Sequence, residues 1–194
     1  IVEQSVIGPS MGQDNLNKGL LGVQVAAFAV ILFMIGYYRI FGLAANLALV
    51  MNILLIFAIM SSIIPATLTL PGIVGIVLTV GKAVDGIVLI FTRVREEIAD
   101  GSPPQRAIES GYDRAFTTIL DANLTTFLVA MVLFAIGSGP VKGFAITLMI
   151  GIITSVFTAV VGTRALVNVI YGGRNVKQLS IGGVSTLPAE QKIP

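Results

Sequence analysis

Gly72-Ile-Val-Gly-Ile-Val-Leu-Thr-Val-Gly-Lys-Ala-Val-Asp-Gly-Ile-Val-Leu-Ile-Phe91 decides how this chain is read. As a helix it is long enough to cross a bilayer core of roughly 30 Å, which takes about 20 apolar residues. It must be a helix, because backbone N–H and C=O groups cannot stay unpaired in lipid. Two charges interrupt it, Lys82 and Asp85.

Four further stretches approach the same length: Gly19–Tyr38, Leu43–Ile63, Ile119–Gly137 and Gly143–Val169. Over the 194 residues, 55% are hydrophobic and 11% are charged. A soluble domain carries about 25% charged residues, so these charges are too few to cover a water-soluble globule. The expected fold is an all-α polytopic transmembrane bundle of five spans. With no Cys there is no disulfide framework or thiolate metal site. With no His the usual general base and commonest metal ligand are missing. The net charge of +2 is too small to point to nucleic acid.

The start, Ile1-Val-Glu-Gln-Ser-Val-Ile7, has neither an initiator Met nor a basic n-region. It does not read as a signal peptide, and a larger protein is expected upstream. Residues 1–18 are expected to end a periplasmic region, 19–171 to form the membrane domain, and 172–194 to form a cytoplasmic tail.

Charge sets the orientation. Arg39, Arg93, Arg95, Arg106, Arg114, Arg164, Arg174 and Lys177 fall on one side, Lys18 and Lys142 on the other. The positive-inside rule places the richer side in the cytoplasm. Five spans then put the N-terminus outside and the C-terminus inside.

The long polar connection Thr92–Thr118 has its own pattern. Ser102-Pro103-Pro104-Gln105 reads as a helix start, with Ser102 at N-cap, Pro103 at N1 and Gln105 at N3. Ile108, Tyr112, Ala115, Phe116 and Ile119 recur on one face, with Arg106, Glu109, Asp113 and Arg114 on the other. An amphipathic helix near 103–118, lying on the membrane surface, is expected. It is either a linker that positions the fourth span or a coupling element.

Asp85 is the leading candidate for chemistry. Ionisable residues inside a span cost about 2.5–3.5 kcal/mol on insertion scales and commonly mark ion or proton paths. The plainer reading is a structural ion pair with Lys82, three residues earlier on the same face. Small residues around it (Gly72, Gly75, Gly81, Ala83, Gly86) and the ridge Gly151, Ser155, Ala159 are packing signals. In Asp121-Ala-Asn-Leu-Thr-Thr126 the acid is placed to cap the fourth span, and Asn123, Thr125 and Thr126 to bond between helices. Phosphate loops, metal-ligand spacings and nucleophile–base pairs are absent. Neither an enzyme nor a cofactor is expected.

Gly72–Glu97 resembles the fourth transmembrane helix of SecD proteins. The resemblance continues through Ala107-Ile-Glu-Ser-Gly-Tyr-Asp-Arg-Ala-Phe-Thr-Thr-Ile-Leu-Asp-Ala-Asn-Leu-Thr-Thr126, Gly137-Ser-Gly-Pro-Val-Lys-Gly-Phe-Ala-Ile-Thr147 and Gly162-Thr-Arg-Ala-Leu-Val-Asn-Val-Ile-Tyr-Gly-Gly173. It runs collinearly from about Val6 to about Gly183. Gly81, Gly86, Asp121, Asn123, Thr125, Thr126, Gly139 and Pro140 fall within these motifs.

The resemblance implies a SecD/SecF half-unit of the RND superfamily, comprising spans two to six, in the bacterial inner membrane. It implies pairing with SecF, association with the SecYEG translocon and with YajC and YidC, and preprotein bound through an upstream periplasmic domain. It implies export driven by the proton-motive force, with the family's proton-path aspartate at Asp85 and that residue's charged partners on SecF. Where the family has Ala-Asn after the aspartate, this chain has Gly86-Ile87, and Lys82 replaces an apolar residue. Lys82 therefore joins Asp85 as a candidate relay residue. Two rivals remain: an RND-type permease for lipid or small molecules, and a scaffold in which Lys82 and Asp85 form a permanent pair.

Overall fold

The computed structural model describes residues 9–63, 70–171, 180–181 and 184–185. Helices α1 (Pro9–Tyr38), α2 (Ile40–Ile63), α3 (Leu70–Ala99), α4 (Pro104–Ile136) and α5 (Pro140–Phe157) follow in order. α5 runs through a π-helical segment, Thr158–Gly162, into α6 (Thr163–Tyr171). Strands β1 (Ser180–Ile181) and β2 (Val184–Ser185) pair antiparallel. The all-α class holds, with this small ladder added.

Among the described residues, four helical stretches are long and apolar enough to cross a membrane: Ile40–Ser62, Pro71–Ala99, Pro104–Ile136 and Pro140–Tyr171. The first expected span, Gly19–Tyr38, lies within α1. Large apolar side chains such as Leu54, Leu124, Leu128 and Val132 point outward. An apolar surface this continuous suits lipid, not water.

α3 is the centre of the bundle. It packs most extensively on α5, then α4, and less on α2. Small residues set these approaches. A Cβ on Gly151 would lie 2.3 Å from Thr79 Cγ2, and one on Gly86 would lie 3.3 Å from Ala159 Cβ. The expected ridge Gly151, Ser155, Ala159 is buried throughout. One end is closed by aromatic rings. Phe91 meets Tyr38 and Phe41 at 5.2 and 5.3 Å, and Phe41 stacks on Tyr171 at 5.1 Å.

The arginine-rich end departs from expectation. The amphipathic segment and the fourth span are one continuous helix, α4, of 33 residues. Its apolar face is buried against protein, not laid on lipid. A Cβ on Gly111 would meet Val94 Cγ2 at 2.4 Å and Val94 N at 2.7 Å, and Tyr112 donates to Thr163 Oγ1 at 2.9 Å. Ile108, Ala115 and Ile119 are buried, while Phe116 stays exposed. The helix begins at Pro104 with Pro103 at N-cap, one residue later than the sequence suggested. Ser102 makes no cap because its hydroxyl turns back to Glu97 Oε2 at 3.3 Å.

Two turns need unusual backbone. Arg39, between α1 and α2, has φ +52 although it is not glycine. Gly139, before α5, has φ +51 and hands over to Pro140 at the first helical position.

Candidate functional site

Asp85 lies near the middle of α3 and is exposed from the bundle. It belongs to an open strip of α3. Val74, Val77 and Leu78 are exposed on it, and a Cβ on Gly81 would meet nothing within 4 Å. No hydrogen bond or ion pair holds the Asp85 carboxylate among the described residues. On the other side of the backbone, Gly86 faces Ala159 and Ile119. The carboxylate therefore stands on an unpartnered face of a helix packed tightly behind it.

Lys82 is half-buried and does not pair with Asp85. Its Nζ donates to Thr126 Oγ1 on α4 at 3.1 Å. The Thr126 hydroxyl spends its proton on Ala122 O at 3.3 Å, which leaves its lone pairs to accept from Lys82. Two physical reasons separate Lys82 from Asp85. Three residues leave the two side chains roughly 60° apart around the axis, so Lys82 leans toward α4 while Asp85 faces out. Base before acid is also the weaker order for a helical ion pair.

The Asp121–Thr126 cluster resolves differently from its sequence reading. Asp121 is exposed in the interior of α4, 17 residues after Pro104 in a helix that began there, so it caps nothing. Asn123 Nδ2 donates to Ile119 O at 2.8 Å, and Thr125 Oγ1 donates to Asp121 O at 3.2 Å. Both bonds stay within the helix, and Thr126 alone of the three bonds across to another helix. Gly139 and Pro140 start α5 at the end remote from the arginines. The structure thus brings Lys82 to Thr126, sets Gly86 on the packed side of α3 and Asp85 on its open side, and leaves Asp121, Gly139 and Pro140 elsewhere. Gly81 flanks Asp85 on its open strip.

Sequence reasoning missed a polar clasp at the arginine-rich end. Glu97 closes α3 with its side chain 9% exposed, and Arg114 on α4 pairs with it at 2.7 Å. Arg164 approaches Asp113 at 3.7 Å and lies over the Tyr112 ring at 5.9 Å. Thr163 receives the Tyr112 hydroxyl and donates to Ala159 O. The run Arg93-Val-Arg-Glu-Glu97 falls within the polar connection Thr92–Thr118, where no local spacing pairs Glu97 with Arg114. The available signal was Gly111 and Tyr112 on the buried face of α4, opposite the end of α3.

Residues 1–172 match the family model described as protein export membrane protein SecD/SecF, C-terminal. The chain belongs to the SecD/SecF family. It is 54% identical over 181 residues to the protein translocase subunit SecD of Desulfurispirillum indicum, covering 93% of this chain and 35% of that protein. It is 57% identical over 179 residues to the protein translocase subunit SecD of Pseudomonas aeruginosa, covering 92% and 29%. The crystal structure of SecDF, a translocon-associated membrane protein from Thermus thermophilus, superposes with a TM-score of 0.81 at 40% identity, covering 87% of this chain and 23% of that one. The chain thus spans about a third of the length of its curated SecD relatives. Its fold is that of a SecD/SecF membrane half-unit, and it is a multi-pass membrane protein.

Proposed function

We propose that this chain is the proton-sensing membrane half-unit of a SecD-type accessory subunit, which works with SecF to promote preprotein export through the SecYEG translocon. The observation that carries the reading is Asp85, a partnerless carboxylate mid-way along α3 on the bundle's open strip. Inside a bilayer an unpaired carboxylate is costly, and residues so placed usually serve ion or proton movement. The family match and the likeness to SecDF support the reading.

In this proposal Asp85 alternates between protonated and ionised forms. Protonation removes the charge from the open strip of α3, and ionisation restores it. The SecF half-unit covers that strip and supplies the opposing charge. Lys82, one turn away, contributes a positive charge from α3 itself and is anchored on Thr126. The clasp of Glu97, Arg114, Tyr112 and Thr163 carries α3 movements into α4 and α6. YajC and YidC join as further membrane partners, and preprotein binds an upstream domain.

In the proposed orientation the arginine-rich end faces the bacterial cytoplasm. Arg39, Arg95, Arg114 and Arg164 all lie at that end, Arg95 bonding Tyr37 at 2.5 Å, and Lys142 lies at the other over the Phe134 ring. The functional test is export of a secretory preprotein in cells carrying the full-length protein with Asp85→Asn. Loss of the proton-motive-force-dependent component is expected. Wild-type export by a stably inserted variant would refute the reading.

A further inference from the structure

The α2 residues Ala45, Ala48, Asn52 and Ile56 form one buried stripe. Three of them are apolar and Asn52 is not. Asn52 is 0% exposed, and neither its Oδ1 nor its Nδ2 has a hydrogen-bond partner in the protein. Thr158, which opens the π segment of the last span, is also 0% exposed, with Oγ1 unpartnered. The neighbouring hydroxyls on that helix satisfy themselves locally. Thr154 donates to Gly151 O, Ser155 to Ile152 O and Thr163 to Ala159 O. Thr158 is the exception, at the point where the helix changes its winding.

Asn52 and Thr158 lie on two segments that pack on one another. A Cβ built on Gly162 would lie 2.4 Å from Met51 Cε and 3.4 Å from Thr158 Cγ2. The side chains of Met51 and Thr158 therefore converge over one α-carbon. Asn52 follows Met51 directly and sits on the buried face of α2, which packs on the π segment.

We infer that Asn52 and Thr158 line an internal hydration site between α2 and the π segment, occupied by ordered water. The donor set selects the ligand. Asn52 Nδ2 can only donate, Oδ1 can only accept, and Thr158 Oγ1 does both. A cation could take Oδ1 and Oγ1 but would leave the Nδ2 donors without an acceptor. An acyl chain would satisfy none of the three atoms. Water offers both roles, and a buried water characteristically takes two to four polar partners. A buried amide left without partners is strongly penalised in an apolar interior. π-helical segments recur at functional positions. Ala159, the next residue, backs onto Gly86 beside Asp85. The site thus lies behind the proposed proton helix, on the side away from its open strip. It rests on orphaned atoms in α2 and the π segment, so it stands or falls separately from the role of Asp85.

The test is water-edited solid-state NMR on the full-length, uniformly 13C,15N-labelled protein, reconstituted with its SecF partner in liposomes. The Asn52 side-chain amide is assigned by its loss in Asn52→Leu or, if that variant does not fold, by correlation through Met51. Transfer from water to Asn52 Nδ2 is expected to build up several times faster than to the buried Ala48 backbone amide on the same stripe. Thr158→Val is expected to slow it at least twofold. Build-up at Asn52 no faster than at Ala48, or unchanged by Thr158→Val, would overturn the inference. The wild-type measurement decides even if both variants misfold.

Discussion

Lys82 Nζ is hydrogen-bonded to Thr126 Oγ1 at 3.1 Å and tethers α3 to α4 within the bundle, one turn from a carboxylate it does not touch. Thr126→Val should strand the Lys82 ammonium and cost about 1 kcal/mol, between the means for buried charged hydrogen bonds and for membrane-interior ones. Lys82→Met should cost less, since the methyl thioether carries no charge into the bundle. Unfolding of the single and double variants checks the coupling. The double variant should be no less stable than Lys82→Met alone, because the bond is already gone. Fully additive losses would show that the bond contributes nothing.

The clasp between α3 and α4 predicts a second asymmetry. Arg114→Met should leave the nearly buried Glu97 carboxylate with Ser102 as its remaining side-chain partner. Breaking a buried pair costs about 3–5 kcal/mol. Arg114 is itself 68% exposed, so solvent screening lowers the expected loss to about 1–2 kcal/mol. Adding Glu97→Gln should recover part of it. Thermal unfolding in detergent reads both values.

Close helix approach supplies a third. Gly111→Ala would push a methyl group into the Val94 backbone, 2.7 Å from its nitrogen. Overpacking of this kind costs about 1–3 kcal/mol, and backbone cannot rotate away as a side chain can. Gly81→Ala meets nothing within 4 Å in this half-unit and should be neutral for its folding. If Gly81→Ala instead weakens pulldown of the proposed SecF partner while leaving folding intact, the open strip of α3 is the partner-facing surface.

Arg39 gives a fourth, at the α1–α2 turn. Its φ of +52 places a side-chain-bearing residue in the left-handed region, which costs roughly 1 kcal/mol relative to glycine. Arg39→Gly should raise the unfolding temperature slightly, and Arg39→Val should lower it. A lower unfolding temperature for Arg39→Gly would show that the guanidinium contributes more than the strain removes.

Much of this was legible in the sequence, for reasons that can be named. Hydrophobic length marks a span without any knowledge of its neighbours, so α2 and the last span emerged within a few residues of their observed limits, while α3 runs on past Phe91 to Ala99. The polar segment before the fourth span was legible as a helix because its apolar positions recur at helical spacing. Its environment was not, because a buried face looks the same whether it meets lipid or protein. The placement of Gly111 on Val94 and the bond from Tyr112 to Thr163 distinguish the two. Asp85 was legible because a mid-span charge has no other easy explanation. The partner chosen by Lys82 was not, since Thr126 lies 44 residues away and local spacing favours Asp85. The π segment left no signature in residue type, because winding changes arise from packing across the bundle.

The most direct test concerns Asp85 itself. Export of a secretory preprotein should be measured with and without a proton-motive force, in membranes carrying full-length wild-type, Asp85→Asn or Asp85→Glu protein. A proton-carrying Asp85 predicts that Asp85→Asn abolishes the stimulation by the proton-motive force while basal export persists, and that Asp85→Glu restores part of it. Stimulation of wild-type size in Asp85→Asn, from protein present at normal abundance and bound to the proposed SecF partner, would contradict it.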